Sequence, residues 1–146
     1  MGHIEATRDL GAAPDELWAI ISDPQTWDRW FTVHDKWLEE PPATLTPGAR
    51  LTAKIVMLNM ANKIEWSVRS VDAPTSLALG GTGMAGVKAD FTFTIEPLGA
   101  GSRFTVSGDF EGALVKGALA KAVEKDGMRQ LDKTLTQLDE LASAAV

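Results

Sequence analysis

The sequence predicts an α+β fold in which a curved antiparallel sheet wraps around one long C-terminal helix. Between residues 51 and 112, short segments of alternating apolar and polar residues are separated by turn signals roughly every ten residues, as in an antiparallel meander. From Leu114 the period changes. Leu119, Ala122, Met128, Leu131, Leu135, Leu138 and Leu141 then recur three and four apart, the spacing of an amphipathic helix. An antiparallel sheet has to bury one face, and this helix is the one element long enough to cover it.

Each element has a local reason. Ile4, Ala6, Arg8 and Leu10 alternate with His3, Glu5, Thr7 and Asp9, which predicts a strand with one buried side. In "GAAPDELWAIISDP", Pro14 suits a first helical turn and Asp15 and Glu16 suit the positive end of a helix dipole. Leu17, Trp18, Ile20 and Ile21 form the apolar stripe of that helix, and Pro24 ends it. "PQTWDRWF" predicts a second short helix with Asp23 as its N-cap. "LTAKIVML" (51–58) and "KIEWSVRSV" (63–71) predict two strands joined by a turn at "NMAN". "SLALGG" (76–81) predicts a short strand that gives way to a flexible, glycine-rich "GGTGMAG". "VKADFTFTI" (87–95) and "RFTVSGDFEG" (103–112) predict two further strands around the turn "GAGS". In the terminal helix Gly127 costs about 1 kcal/mol relative to Ala. The first half of that helix's stripe is thinner, where Ala113, Gly117, Ala118 and Ala122 leave room, so a gap is expected between it and the aromatic side chains of the sheet.

Composition narrows the function. The 146 residues, 45% hydrophobic and 23% charged, fit one domain spanning 1–146, and no apolar run approaches the roughly 20 residues of a membrane span. The start "MGHIEATRDL" has neither a secretory apolar core nor the myristoylation pattern, so a cytoplasmic location is expected, without membrane insertion. There is no cysteine, and His3 and His34 stand far apart, which disfavours a metal centre. A net charge of −6 with no basic run disfavours nucleic acid. "GGTGMAG" lacks the spacing of a phosphate-binding loop and precedes a strand, so no cofactor is expected.

"APDELWAIISDPQTWDRWF", "LTPGARLTAKI", "NKIEWSVRSVDAPTSLAL" and the terminal helix resemble the START-like or Bet v 1-like helix-grip superfamily (SRPBCC), in particular its bacterial polyketide cyclase/dehydratase-like branch. The resemblance covers essentially the whole chain. "WFTVHDKW", "NKIEW" and "GTGMAGVKADF" are similar to a narrower actinobacterial subgroup, some members of which carry the label of toxin in toxin–antitoxin pairs. The resemblance implies a seven-stranded sheet, two short helices after the first strand, and an apolar tunnel under the long helix. It implies binding or transport of a lipid, polyketide or related small apolar ligand, or else a cyclase or dehydratase working without metal. It supplies no universal catalytic residue, and it leaves room for an antitoxin-like protein partner or a homodimer.

The site therefore has to be read from the side chains themselves. "WDRWFTVHDKW" gathers three of the five tryptophans and one of the two histidines. Trp18 and Trp27 are expected to pack, whereas Trp30, Trp37 and Trp66 are candidates for the lining, each with an indole N–H that wants an acceptor. Ile55, Met57, Phe91, Phe93 and Phe104 from the sheet, and Leu114, Ala118 and Ala122 from the helix, complete the expected lining, with Met84 as an adaptable lid. His34 is the side chain suited to acid–base work, but strand parity turns it outward if Trp37 faces inward and no bulge intervenes. Arg8 shares the buried face of its strand. It either pairs with a nearby carboxylate or anchors an anionic ligand group. Glu65 and Asp90 have outward parity.

Overall fold

The computed structural model describes residues 2–57, 60–83, 86–112 and 117–144. Strand β1 (Gly2–Leu10) leads into helix α1 (Pro14–Ile21), a 3-10 turn (Pro24–Thr26) and the short helix α2 (Trp27–Trp30). Strands β2 (His34–Trp37), β3 (Arg50–Met57), β4 (Met60–Asp72), β5 (Ser76–Gly83), β6 (Lys88–Leu98) and β7 (Gly101–Glu111) follow, and α3 (Gly117–Ala144) closes the chain. The described strands form one seven-stranded antiparallel sheet in the order β1-β7-β6-β5-β4-β3-β2. This is the helix-grip arrangement. Among the described residues, no helix is long and apolar enough to cross a membrane.

The local signals act as their chemistry requires. Glu16 accepts a hydrogen bond from Ala13 N–H at the start of α1, and Asp23 Oδ1 accepts one from Gln25 N–H at 3.0 Å, capping the 3-10 turn. Helix α3 continues through Gly127, which is buried, so the glycine does not end it. Two strands are longer than alternation suggests. Met60, Ala61 and Asn62 pair with Met57, Val56 and Ile55, so three of the four residues of the expected "NMAN" turn belong to β4. Thr82 and Gly83 also pair within the sheet, so the first four residues of "GGTGMAG" are strand rather than a flexible gate.

The register places inward side chains in rows across the sheet. One row runs Val71, Leu77, Phe93, Val106 and Ala6; another runs Leu51, Trp66, Gly81, Ala89, Phe110 and Gly2. The first holds mostly large side chains. The second alternates bulk with the smallest residues available. Leu131, Leu135 and Leu138 of α3 are fully buried, while among the described side chains Ala120 is the buried one nearest its start. Toward the end where β5 and β7 end and α3 begins, the small residues Gly81, Ala89 and Ala120 thus stand among the large side chains of Trp66 and Phe110. Each large apolar side chain so buried contributes about 1.5–3 kcal/mol.

Polar contacts tie α3 to this frame. Thr32 N–H and Oγ1 both meet the buried Thr134 hydroxyl, at 3.1 and 3.0 Å. At β1, Arg8 donates to Thr136 Oγ1 at 2.7 Å and to Asp132 at 2.5 Å. His3 pairs with Asp109 at 2.6 Å, which raises the imidazole pKa.

Candidate ligand-binding site

An aromatic cluster occupies the middle of the inner face, and its centre is Trp27. Its ring meets Trp30, Phe31, His34, Trp37 and Phe93 at centroid distances between 5.2 and 6.5 Å. Phe93 stacks in turn on Phe91 and Phe104, and Phe31 meets both Phe91 and Phe93 edge-on. Trp30, Phe91, Phe93 and Phe104 are buried to within 1%. Their ring faces are thus covered by one another, and the four form packed core between the two short helices and the sheet. Phe31 is part of that core and was not among the expected lining residues; its place next to Trp30 in "WDRWF" is the signal that bore on it.

Hydrogen bonds divide the tryptophans. Trp27 Nε1 donates to Ile21 O at 3.0 Å, Trp30 Nε1 to Thr26 Oγ1 at 3.0 Å, and Trp37 Nε1 to Pro24 O at 2.9 Å. The first two bonds lie within the segment from Ile21 to Trp30, and the third ties that segment to β2. Trp66 differs. It is completely buried, and its Nε1–H meets no hydrogen-bond acceptor.

The seat of Trp66 is built by glycine. A Cβ at Gly81 would lie 2.6 Å from the benzo edge of the Trp66 ring, so the ring lies directly on the β5 backbone. The pyrrole edge, with the N–H, is therefore turned away from Gly81. Phe91 repeats the device on β7, with its ring 2.8 Å from where a Gly108 Cβ would stand. Trp66 and Phe91 then meet edge to face at 5.7 Å. Neither glycine belonged to the expected site; what could have found them is their place opposite a large aromatic across the strand pair.

His34 faces inward. A register shift between His34 and Lys36 puts His34 opposite Ile55 and Trp37 opposite Ala53, so both side chains project to one side. The two rings lie 4.5 Å apart. His34 is 5% exposed, and both ring nitrogens lack a hydrogen-bond partner. Burial lowers its pKa from 6.5 to about 4, against an opposing pull from Asp28 and Asp35. It is a neutral imidazole at neutral pH, with no side chain orienting it.

The remaining candidates fall into place or away. Arg8 reaches across to α3 and is satisfied there by Asp132 and Thr136, so it points at no ligand space. Ile55 is buried, Ala122 is half-buried, and Ala118 is exposed, which removes it from the surface under the helix. Ala120 occupies that position instead. Met57 ends β3, and its side chain, like Met84 and Leu114, lies outside the described residues. Glu65 is exposed and Asp90 lies on the outer face beside Arg69, 2.9 Å away.

The outer face carries a polar cleft of about 340 Å³ lined by Glu65, Ser67, Arg69, Lys88, Asp90 and Glu111 around Gly80–Thr82. The Arg69 guanidinium crosses β5 above Gly80 to reach Asp90, so its charge is paired on an open surface. Such a surface supplies no desolvated donor and no apolar wall. The inner face supplies both.

Comparison with known proteins places this geometry. A family model described as polyketide cyclase / dehydrase and lipid transport matches residues 1–142. An uncharacterized Mycobacterium tuberculosis protein, Rv1546, is 27% identical over 141 residues, covering 97% of this chain and 99% of the relative. The M. tuberculosis toxin Rv0910 is 28% identical over 102 residues, covering 70% of this chain and 71% of its own. Among solved structures, a START superfamily protein from Mycobacterium smegmatis superposes with a TM-score of 0.79 at 17% identity, covering 100% of both chains. The Thermus thermophilus protein TTHA0849 superposes with a TM-score of 0.76 at 17% identity, covering 98% of both.

Proposed function

The chain belongs to the polyketide cyclase / dehydrase and lipid transport family, and from that premise we propose that it binds a small, mainly apolar ligand between the sheet and the first half of α3. The observation that carries this reading is Trp66, whose buried indole N–H has no acceptor. Leaving such a donor unsatisfied costs about 1–3 kcal/mol, and every described neighbour on its row is apolar. A ligand oxygen at that position removes the cost. The small buried residues Ala89 and Ala120 support the same place.

The test is to fill that volume. Ala120→Trp is expected to lower the affinity for an apolar aromatic probe, naphthyl methyl ketone, by at least about tenfold while unfolding cooperatively, an affinity change worth about 1.4 kcal/mol. Unchanged affinity in the folded variant places binding elsewhere.

His34 supports a second reading, that of a cyclase or dehydratase, because its neutral ring could accept a proton. No second group holds its tautomer, and it lies two strands away from Trp66, so the two do not converge on one reacting atom. Binding is the better-supported function. A relative carries the name toxin; growth arrest on expression that persists in Ala120→Trp would favour a toxin reading over ligand binding.

A further inference from the structure

We infer that the ligand is an uncharged molecule carrying a hydrogen-bond-accepting oxygen, read by the Trp66 Nε1–H. This rests on the binding reading above and specifies its chemistry. An indole nitrogen donates and cannot accept, so the complementary ligand atom is an acceptor. The other tryptophan donors of the cluster, on Trp27, Trp30 and Trp37, are held by protein oxygens, which leaves Trp66 as the one directed at something else.

The charge of the ligand follows from what surrounds the site. Among the described residues the buried polar or charged groups are His34, Ser102, Asp126 and Thr134, and none is a lysine or an arginine. Arg8 is engaged by Asp132 on α3, and Arg129 by Asp126. Arg69 is paired on the outer face. Among the described residues no buried cation would meet an anionic ligand desolvated there, which disfavours it strongly. A ketone, ester or ether oxygen carries no such cost. Trp66 is completely buried, so the ligand reaches its N–H by displacing what covers it.

Three probes of matched shape separate the possibilities: naphthyl methyl ketone, isopropenylnaphthalene and naphthoate. In a purely apolar pocket the hydrocarbon binds best, because the carbonyl must give up its hydration. The expected result is that the ketone binds at least as tightly as the hydrocarbon and at least about tenfold more tightly than naphthoate, and that Trp66→Phe lowers the ketone-to-hydrocarbon affinity ratio about tenfold. Should Trp66→Phe fail to fold, the wild-type indole signals in a proton–nitrogen correlation spectrum decide the matter. The Trp66 N–H proton is expected to move downfield with the ketone and not with the hydrocarbon. A preference for the hydrocarbon with a stationary Trp66 signal, or equal binding of naphthoate, overturns the inference while leaving ligand binding intact. Absence of binding by all three overturns the binding reading as well.

Discussion

Arg8 and His34 begin as equal candidates, and their surroundings separate them. Arg8 is a partly exposed clamp between β1 and α3, with its side chain 33% and that of Asp132 73% exposed. Arg8→Ala is expected to cost no more than about 1 kcal/mol in urea unfolding and to leave probe affinity unchanged. A tenfold loss of affinity would return Arg8 to the site. His34 titrates instead. Folded, it stays neutral down to about pH 4, whereas in the unfolded chain it protonates near 6.5. The unfolded state therefore binds the extra proton first, and stability falls as pH drops from about 6.5 toward 4. Between about pH 7.5 and about pH 4.5 the loss from this group is on the order of 2 kcal/mol. His3, whose pKa is raised by Asp109, acts in the opposite direction, but that pair is exposed and screened. His34→Phe keeps an aromatic ring and removes the proton site. It is expected to lose correspondingly less stability over that interval, and equal losses would show that burial does not hold His34 neutral. Parity alone put His34 outside, because the register shift beside Asp35 leaves no mark in the composition of "HDKW".

Strand β5 shows how one element serves both faces of the sheet. Gly80 lies under the Arg69 guanidinium and Gly81 under the Trp66 ring, on opposite sides. A Cβ at Gly80 meets the far end of a flexible, exposed side chain that can swing aside, whereas a Cβ at Gly81 meets a ring fixed by the core. Gly80→Ala is therefore expected to cost less than about 1 kcal/mol and Gly81→Ala about 1–3 kcal/mol, read from urea midpoints. The reverse order would contradict the packing described for Trp66. From sequence alone "GGTG" resembles a loop, since glycine removes the alternation by which a strand is recognised. Its strand character comes from its partners, β4 and β6, whose alternation is unbroken opposite Gly80–Thr82. Helix α1, the Asp23 cap and the strands with large alternating side chains needed no such help, because their signals are local.

At the scale of the molecule, the order of elements was enough to specify a sheet gripping a terminal helix, because only α3 can cover a sheet of that size. The site was less legible. Aromatic content marks residues that want burial, and Phe91, Phe93, Phe104 and Trp30 satisfy that by covering one another. Whether an aromatic lines a space or fills it depends on register and on the glycines opposite it, which are pairwise properties of distant segments. The same holds on α3, where Ala118 and Ala120 differ by two positions and lie on opposite sides of the helix surface. What distinguishes Trp66 is a missing hydrogen bond, a property of the fold and not of the residue.

A crystal structure of the protein soaked with naphthyl methyl ketone tests this account most directly. It is expected to show the naphthyl ring under Ala120 and the carbonyl oxygen about 3 Å from Trp66 Nε1. A probe seated instead in the outer cleft beside Arg69 and Gly80, with Trp66 unmoved and still without an acceptor, would contradict it.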